Sequence, residues 1–539
     1  MIEDRHELPS KVSLRTRRPV LAMTMSSFQE RPALSARASR RDWWGLAILA
    51  LPCLLYSMDL TVLNLAVPSL TADLQPSGPQ LLWIVDIYGF VLAGALITMG
   101  ALGDRIGRRK LLMWGAAAFG SASILAAFSP TAELLIVARA LLGLAAATLA
   151  PSTLSLISTM FRDPGQRSLA IGIWMASFSL GGAIGPLVGG ALLEHFWWGS
   201  VFLIAVPVMA LLLVAAPRLL PEFKESDGAR VEVGTALLSI AAMLALVYGA
   251  KRVLVGSFDP AGMVALATGI VLGTLLVRGQ LAAGRPMIDF RLFAQASFAI
   301  PVGIYFTGLF LSFGTLLLFA QYLQLALEMP PFEAGLWTLF SAAGFLIGSL
   351  SAPALAERAG PTRVIPVSLL VASAGFAMLS WSVMAGLFPA VLAAAFLMAL
   401  GVGPVLTLST DLIVGAVPVA RAGSAAAIAE TSSELGGALG IGVMGSMAIS
   451  VYRGAIGPAL DASLPETVRV AAADSLGTLH AAIGGLGQPA QETLRAAATS
   501  AFNVGFAAQS AACAALALLA ALASLAMKSR ATRLNQNGV

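Results

Sequence analysis

The chain has 539 residues, of which 58% are hydrophobic and only 11% are charged, and its net charge is +5. A soluble domain carries about 25% charged residues, so this composition excludes an ordinary soluble protein and predicts one that sits in a lipid bilayer. The positive net charge requires no nucleic-acid partner, because the placement of the basic residues relative to the bilayer accounts for it.

Fourteen apolar segments are each long enough to cross about 30 Å of hydrocarbon. Backbone polar groups must be satisfied within such a segment, so each is predicted to be a helix. The segments are residues 44–68, 80–102, 111–129, 133–157, 167–192, 198–219, 233–251, 260–277, 298–327, 332–356, 363–383, 386–412, 424–450 and 498–526. The predicted fold class is an all-α integral membrane protein with 14 transmembrane helices.

The basic residues predict the orientation of these helices. An even number of spans places both termini on one side, and all but six of the 33 basic residues lie on that side. Arg139 lies within a span, and the other five are Lys251, Arg252, Arg453, Arg469 and Arg495. The positive-inside rule therefore predicts that both termini of this multi-pass protein are cytoplasmic; the resemblance described below implies that the membrane is a bacterial plasma (inner) membrane.

Three polar stretches flank or interrupt the spans. Residues 1–42 are basic and lack helical periodicity, which predicts a disordered cytoplasmic tail, and residues 528–539 form a second tail. Residues 452–497 are predicted to be an extracellular loop. Apolar residues at helical spacing predict one short surface helix within that loop, at Leu476, Leu479, Ile483 and Leu486.

The chain contains an internal repeat. LGDRIGRR at 102–109 is echoed by LAERAGPT at 355–362, and LGGAIG at 180–185 is echoed by LGGALG at 435–440. The two echoes have nearly the same offset, which maps the second predicted span onto the tenth and the fifth onto the thirteenth.

This mapping predicts three membrane domains. They are a six-helix bundle at 43–219, two inserted helices at 233–280 and a second six-helix bundle at 296–527. Internal repeats of this kind place a substrate site near the midplane, between the two halves.

Five charged residues lie inside predicted spans: Asp59, Asp86, Arg139, Glu430 and Glu434. A charge at bilayer depth costs roughly 2.5–3.5 kcal/mol on insertion scales, so such residues mark cavities, charge pairs or proton paths. Four acids and one base predict a cavity with a negative bias, which suits cations and protons.

Asp59 and Arg139 have two interpretations. They form either a static pair that neutralises two buried charges or a pair that opens when Asp59 takes up a proton. Burial disfavours an ionised carboxylate and a neighbouring arginine favours it, so the two effects oppose each other at this site. Asp59 is the leading candidate for proton coupling.

Glu430 and Glu434 are four residues apart and share a helix face. Two desolvated carboxylates at this spacing do not both ionise readily, which suits a proton carrier or a dication site. Alternatively, Glu430 is hydrated near the cytoplasmic end of its span. Asp411, near the inner end of the twelfth span, is interpreted as a hydrated helix-end residue.

Asp86 is flanked by Trp83 and Tyr88. A carboxylate beside aromatic faces suits a lipophilic cation, since each cation–π contact contributes roughly 0.5–2 kcal/mol. The alternative is that Asp86 lies close enough to the outer interface to be hydrated.

Two glycine-containing motifs connect or line the spans. In the loop after the second span, Gly103 and Gly107 permit a tight turn. Asp104 can accept hydrogen bonds from Arg105 or from an arginine of a neighbouring span, and Arg108 and Arg109 hold the loop in the cytoplasm.

In the fifth span, small residues allow close helix packing and a proline bends the helix. That motif comprises Gly181, Gly182, Gly185, Pro186, Gly189 and Gly190.

Nothing in the sequence predicts an enzyme or a cofactor. The three histidines lie in a tail or in outer loops, and no metal-ligand cluster, nucleotide loop or nucleophile motif is present. Without a phosphate-binding loop, transport would have to use an ion gradient.

Five motifs resemble those of the major facilitator superfamily, specifically its fourteen-span drug:proton antiporters of the QacA/SmvA quaternary-ammonium efflux type. They are MDLTVLNLAVP at 58–68, WIVDIYGFVLAG at 83–94, GALGDRIGRRK at 100–110, GGAIGPLVGG at 181–190 and ETSSELGGALG at 430–440.

This resemblance implies a major facilitator fold, a latch role for the 103–109 loop, a seal against proton leak at 181–190 and cation contacts from Asp86, Trp174 and Phe178. It implies a proton antiporter, functioning as a monomer, that exports lipophilic mono- and dications. Two alternatives stay open: an exporter of an endogenous lipid, siderophore or antibiotic, and a transport-silent sensor or scaffold.

Overall fold

The computed structural model describes residues 37–222, 233–255, 260–283, 286, 289–418, 421–461 and 464–536. Residues 1–36 of the tail predicted at 1–42 lie outside the described residues. Within the described ranges all regular structure is helical, without any strand.

The first half of the chain begins with a long capped helix. The Ser39 side chain accepts from the backbone N–H of Asp42 and the Asp42 side chain accepts from that of Ser39, so the helix includes the last three residues of the predicted tail, 40–42. The helices of this half are α1 (Arg40–Leu74), α2 (Gly78–Ile106), α3 (Arg108–Ala127), α4 (Ala132–Met160), α5 (Pro164–His195), α6 (Ser200–Leu203) and α7 (Ala205–Leu219).

The two inserted helices are α8 (Val233–Val255) and α9 (Pro260–Ala282), and they pack on each other. A Cβ atom at Gly249 would lie 2.4 Å from the Leu266 backbone nitrogen, so this glycine permits their close approach.

The second half repeats the pattern and adds a helical loop before its last helix. Its helices are α10 (Ala296–Gln321), α11 (Pro331–Ala359), α12 (Pro361–Met384), α13 (Phe388–Gly415), α14 (Ala422–Ile456), α15 (Glu466–Asp474), α16 (Leu476–Ala482) and α17 (Gln488–Gln536). The short helix predicted around Leu476 is confirmed as α16. The Tyr452 hydroxyl donates to the Ala472 carbonyl at 2.8 Å, which fastens this loop to the end of α14.

Twelve helices in the described part of the chain are long and apolar enough to cross a membrane. The helices α1 and α8 are not among the twelve, although they occupy the positions of the first and seventh predicted spans. The count of fourteen spans therefore stays a prediction.

The sequence echoes occupy equivalent places in the fold. Gly107 joins α2 to α3 with φ +111°, and Gly360 joins α11 to α12 with φ +79°, a region that favours glycine. A Cβ atom at Gly181 would lie 2.1 Å from the Leu54 carbonyl, so α5 packs closely on α1. In the same way, a Cβ atom at Gly440 would lie 2.2 Å from the Phe310 carbonyl, where α14 packs on α10.

Candidate functional site

Asp59 and Arg139 form an ion pair between α1 and α4. Arg139 Nη1 lies 2.5 Å from Asp59 Oδ2, and the arginine side chain is 1% exposed. Arg139 Nε also donates to the Ile84 carbonyl at 3.2 Å, and its guanidinium lies 4.6 Å from the centre of the Tyr88 ring. Three helices therefore hold the arginine in place. The pair is observed, and its role in coupling stays a prediction.

Glu430 and Glu434 lie on α14 and interact electrostatically with each other. Glu430 is 6% exposed, so the interpretation as a hydrated helix-end residue is wrong for this carboxylate. Among the described residues it has neither an ion-pair nor a hydrogen-bond partner. A buried carboxylate in this state is poised to take a cation or a proton.

Tyr56 joins the two halves at the level of these acids. Its hydroxyl donates to Glu434 Oε1, and it lies on α1 three residues before Asp59. Its ring lies 6.2 Å from that of Tyr88, which in turn lies beside Arg139. One tyrosine thus connects the carboxylate of the second half to the ion pair of the first.

Sequence reasoning did not identify Tyr56 as a site residue. The signal that could have found it is the spacing of three residues to Asp59, which puts both side chains on one helix face. Its partner Glu434 is 378 residues away and could not be predicted from local pattern.

The predicted aromatic contacts separate into two layers. Phe178 is half-buried and packs edge-to-face on Tyr56 with the ring centres 5.6 Å apart. Trp174 is fully buried, and its indole N–H donates to Thr153 Oγ1 at 3.0 Å. Phe178 therefore adjoins the site, whereas Trp174 lies behind it and packs on Phe178 at 4.9 Å.

Asp86 is half-buried on the part of α2 that carries Trp83 and Phe90. Trp83 stacks on Tyr248 of α8, with ring centres 6.1 Å apart, and Phe90 packs edge-to-face on the same tyrosine. An inserted helix thus provides aromatic surface near Asp86, which sequence reasoning did not anticipate.

The loop motif after α2 contacts the second half. Arg108 pairs with Asp104, and the Ser424 hydroxyl of α14 donates to Asp104 Oδ2 at 3.0 Å. Arg108 is 0% exposed, so its side chain is enclosed by protein, and its role in holding the loop in the cytoplasm stays a prediction. Gly423 explains its burial, because a Cβ atom there would lie 1.1 Å from Arg108 Nη2.

The other residues of this motif have separate environments. Arg105 is exposed, and Gly103 packs against the Arg108 side chain. Arg109 Nη1 donates to the Leu220 carbonyl at 3.0 Å, which ties the loop to the end of α7. The partner of Asp104 is therefore Arg108 rather than Arg105.

An ion pair between α5 of the first half and α13 of the second half joins the two halves. Arg167 Nε lies 2.7 Å from Asp411 Oδ1, and the aspartate side chain is 16% exposed. The interpretation of Asp411 as a hydrated helix-end residue is therefore wrong, because an arginine 244 residues away in sequence covers it. Nearby, the Ser349 hydroxyl donates to the Gly172 carbonyl at 3.1 Å.

The glycine motif of α5 faces α1. Gly181 meets the Leu54 backbone, Gly182 meets the Ser57 hydroxyl, and Gly189 meets Val62. Gly185 is buried, and a Cβ atom at Gly190 would have nothing within 4 Å. The side chain of Pro186 lies outside the described residues. Close packing is observed, and the role as a seal stays a prediction.

In the described part of the chain, no group of three His, Cys, Asp or Glu residues could hold a metal ion. The two halves instead meet where Tyr56 donates to Glu434, where Ser424 donates to Asp104, and at the Arg167–Asp411 ion pair. A helical membrane protein with charges between two similar halves has the features of a secondary transporter.

The family described as Major Facilitator Superfamily matches residues 49–441, and the chain belongs to this family. It is a transporter rather than an enzyme. The chain is 41% identical over 483 residues to the multidrug efflux pump LfrA of Mycolicibacterium smegmatis, which covers 90% of this chain and 95% of that protein.

Two further relatives are named as resistance proteins. The methyl viologen resistance protein SmvA of Salmonella typhimurium is 40% identical and covers 75% of this chain and 82% of its own length. The puromycin resistance protein pur8 of Streptomyces alboniger is 33% identical, and the match covers 76% of this chain and 82% of that protein. The relatives support drug efflux as the activity of the family branch to which the chain belongs.

Solved structures agree on the fold. A double-Trp mutant of XylE superposes with a TM-score of 0.58 at 16% identity, covering 90% of this chain and 95% of that one. The human organic anion transporter MFSD10 superposes with a TM-score of 0.54 at 15% identity, and the match covers 87% of this chain and 98% of that one. At these identities the likeness concerns the fold alone.

Proposed function

We propose that this chain is a proton antiporter that exports lipophilic mono- and dications, including quaternary ammonium compounds, dyes and biocides. The observation that carries the proposal is the contact between Tyr56 and Glu434, which brings the acid pair of the second half to the Asp59–Arg139 pair of the first. The proposal includes fourteen spans, cytoplasmic termini, a bacterial inner membrane and a monomer.

The proposed cation site is centred on Glu430 and Glu434. Glu430 is buried, and a lipophilic cation would supply the positive charge that a buried carboxylate favours. Phe178 and Tyr56 offer aromatic faces next to it. Asp86, with Trp83 and Tyr248 close by, would take the cation on the outer side.

Proton coupling is proposed to run through Asp59 and to include Glu434. Protonation of Asp59 removes its attraction for Arg139, and loss of that pair changes the packing of α1 against α4. Glu434 would carry a proton when no cation is bound and would release it when one binds.

The free energy for export would come from the proton gradient. A proton moving inward releases roughly 2.3 kcal/mol per 100 mV and about 1.4 kcal/mol per pH unit. Exporting a monocation costs the same amount per 100 mV, so a one-for-one exchange would be driven by the pH difference, and export of a dication would need more than one proton.

A second candidate is the export of an antibiotic. Among the relatives are the puromycin resistance protein of Streptomyces alboniger and the tetracenomycin C resistance and export protein of Streptomyces glaucescens. The negative bias of the site favours cations over this candidate, since an anionic or neutral cargo would gain nothing from the buried Glu430.

The test is ethidium and benzalkonium transport by purified protein in vesicles that contain a pH-sensitive dye. We expect Asp59→Asn to abolish proton-driven uptake while leaving cation binding, and Glu430→Gln and Glu434→Gln to weaken binding. The matched control is Glu133→Gln, because Glu133 is exposed and accepts a hydrogen bond from Gln80 at the start of α2.

Two results would contradict the proposal. Full gradient-driven transport by Asp59→Asn would remove the coupling assignment. Unchanged cation transport in Glu430→Gln, Glu434→Gln and Asp86→Asn would remove the cation site. Transport of puromycin but not of ethidium would favour the second candidate.

A further inference from the structure

A small cavity lies against Asp59 within the first half of the protein. Its volume is about 20 Å³, which is room for about one water molecule. Its lining comes from α1, α3, α6 and α7 and from the residue between the last two helices. The residues that matter most are Asp59, Phe119, Ser123, Val201, Phe202 and Ala205.

The lining of this cavity is polar at two places. Asp59 contributes a carboxylate, and Ser123, which is 1% exposed on α3, contributes a hydroxyl. The other described lining side chains are apolar, so Asp59 is the one ionisable group in the described part of the lining. A carboxylate and a hydroxyl across a space of this size can hold a water molecule, which needs two to four polar partners.

The cavity and the proposed cation site reach Asp59 from different helices. The charged and titratable groups around Asp59 are Arg139 of α4, Tyr88 of α2 and Tyr56 of α1, which leads to Glu434 of α14. Among the described residues, none of these groups lines the cavity, and no residue of the second half does so. Asp59 is therefore bordered by the central site on one set of helices and by this cavity on another.

A second buried hydroxyl, that of Ser200, lies next in sequence to the cavity lining. Ser200 is 6% exposed, and its Oγ has no hydrogen-bond partner among the described residues. It directly precedes Val201 of the cavity lining. Two residues before it, Trp198 donates to Asp73 at 2.7 Å near the end of α1. In the proposed orientation this is the outer side, from which protons would enter.

We propose that this cavity holds an ordered water through which Asp59 exchanges its proton, separately from the cation site. The inference rests on the proposed function, because it assigns a proton route to the same coupling carboxylate. The water accepts a proton from the outer side and passes one of its own to an Asp59 carboxylate oxygen. Asp59 becomes neutral, Arg139 keeps its charge, and the water is regenerated.

The consequence is that a bound cation does not block the proton. In a single shared cavity the cation would shield Asp59 from water. With a separate water site, proton exchange at Asp59 continues while the cation occupies Glu430 and Glu434.

The test fills the cavity without touching the cation site. Ser123→Val replaces the hydroxyl with a methyl group and adds a second one, and Ala205→Val fills the same space from α7. The matched control is Ser121→Val, because Ser121 is exposed on the same helix two residues away. Thermal unfolding of each variant establishes that it is folded.

The measurement is hydrogen–deuterium exchange of the Asp59 carboxyl by infrared difference spectroscopy, with its band assigned by loss in Asp59→Asn. We expect exchange at least about tenfold slower in Ser123→Val and Ala205→Val, since the bridging water is excluded. We expect the Ser121→Val rate and the Kd for tetraphenylphosphonium to stay within about twofold of wild type. Saturating tetraphenylphosphonium should leave the wild-type exchange rate unchanged.

Three results would overturn the water site. They are equal exchange rates in Ser123→Val and Ser121→Val, a large slowing by bound tetraphenylphosphonium, and the absence of any Asp59 carboxyl band. Failure of the wild-type protein to bind or export any lipophilic cation would instead refute the proposed function, and the exchange rates would still decide the water site.

Discussion

Removal of one hydroxyl at the contact between α2 and α14 should open that end of the transporter. The Ser424 hydroxyl donates to Asp104 at 3.0 Å and is half-buried. In Ser424→Ala this contact between the halves is lost, but Asp104 keeps Arg108 as its charge partner. The protein should therefore fold, and only the balance between its conformations should change.

The magnitude follows from the type of hydrogen bond. A hydrogen bond to a charged group is worth about 1.5–3 kcal/mol, and each 1.4 kcal/mol is about a factor of ten in an equilibrium constant. We expect the ratio of separated to contacting halves at this end to rise by roughly tenfold to a hundredfold.

The assay measures the distance between spin labels at Arg105 and Arg358, which are exposed and occupy equivalent places in the sequence repeat. Both natural cysteines, Cys53 and Cys513, are buried and are replaced by alanine in the labelled background. Pulsed electron resonance then gives the populations of short and long distances.

The control for this prediction is Ser432→Ala. Ser432 lies on the same helix and is half-buried, but its hydroxyl donates to the Ile428 carbonyl of its own helix at 2.8 Å. If the distance populations of Ser424→Ala and Ser432→Ala agree within about twofold, the loop is a topogenic hairpin and not a latch.

Two further predictions concern packing and the Arg167–Asp411 ion pair. Gly181→Ala should lower the melting temperature, because its Cβ would lie 2.1 Å from the Leu54 carbonyl. Gly190→Ala is the control and should leave the melting temperature unchanged, because the space around Gly190 is open. Equal melting temperatures of the two variants would contradict the close-packing argument. Arg167→Ala leaves the Asp411 carboxylate without its ion-pair partner Arg167. In thermal unfolding, the double variant Arg167→Ala/Asp411→Ala should therefore be more stable than Arg167→Ala alone. A double variant that is less stable would contradict the importance of this pair.

The sequence predicted the charged residues of the site better than their environments. Asp59 and Arg139 were expected to pair, and they do, since both are charges in spans of one bundle and need compensation. Arg108 and Asp411 were placed at the aqueous surface because they lie near helix ends. Each is instead covered by a residue of the other half of the chain, which no local pattern reveals.

For the aromatic residues, too, the sequence predicted the position along the chain but not the neighbours. Trp174 and Phe178 are four residues apart beside one motif, but only Phe178 reaches Tyr56, while Trp174 is enclosed next to Thr153. Hydropathy does not say which face of an all-apolar helix meets a neighbouring helix and which meets lipid, because both surroundings are apolar.

Composition, segment length and the internal repeat by themselves determined that this is a helical membrane protein of two related halves. Those features follow from the cost of unsatisfied backbone and charge in hydrocarbon, which acts on each segment separately. Only the tertiary structure decided that Tyr56 meets Glu434, that Ser424 meets Asp104 and that a water-sized cavity borders Asp59. Those contacts and spaces depend on how helices distant in sequence pack, and packing is a property of the assembled bundle.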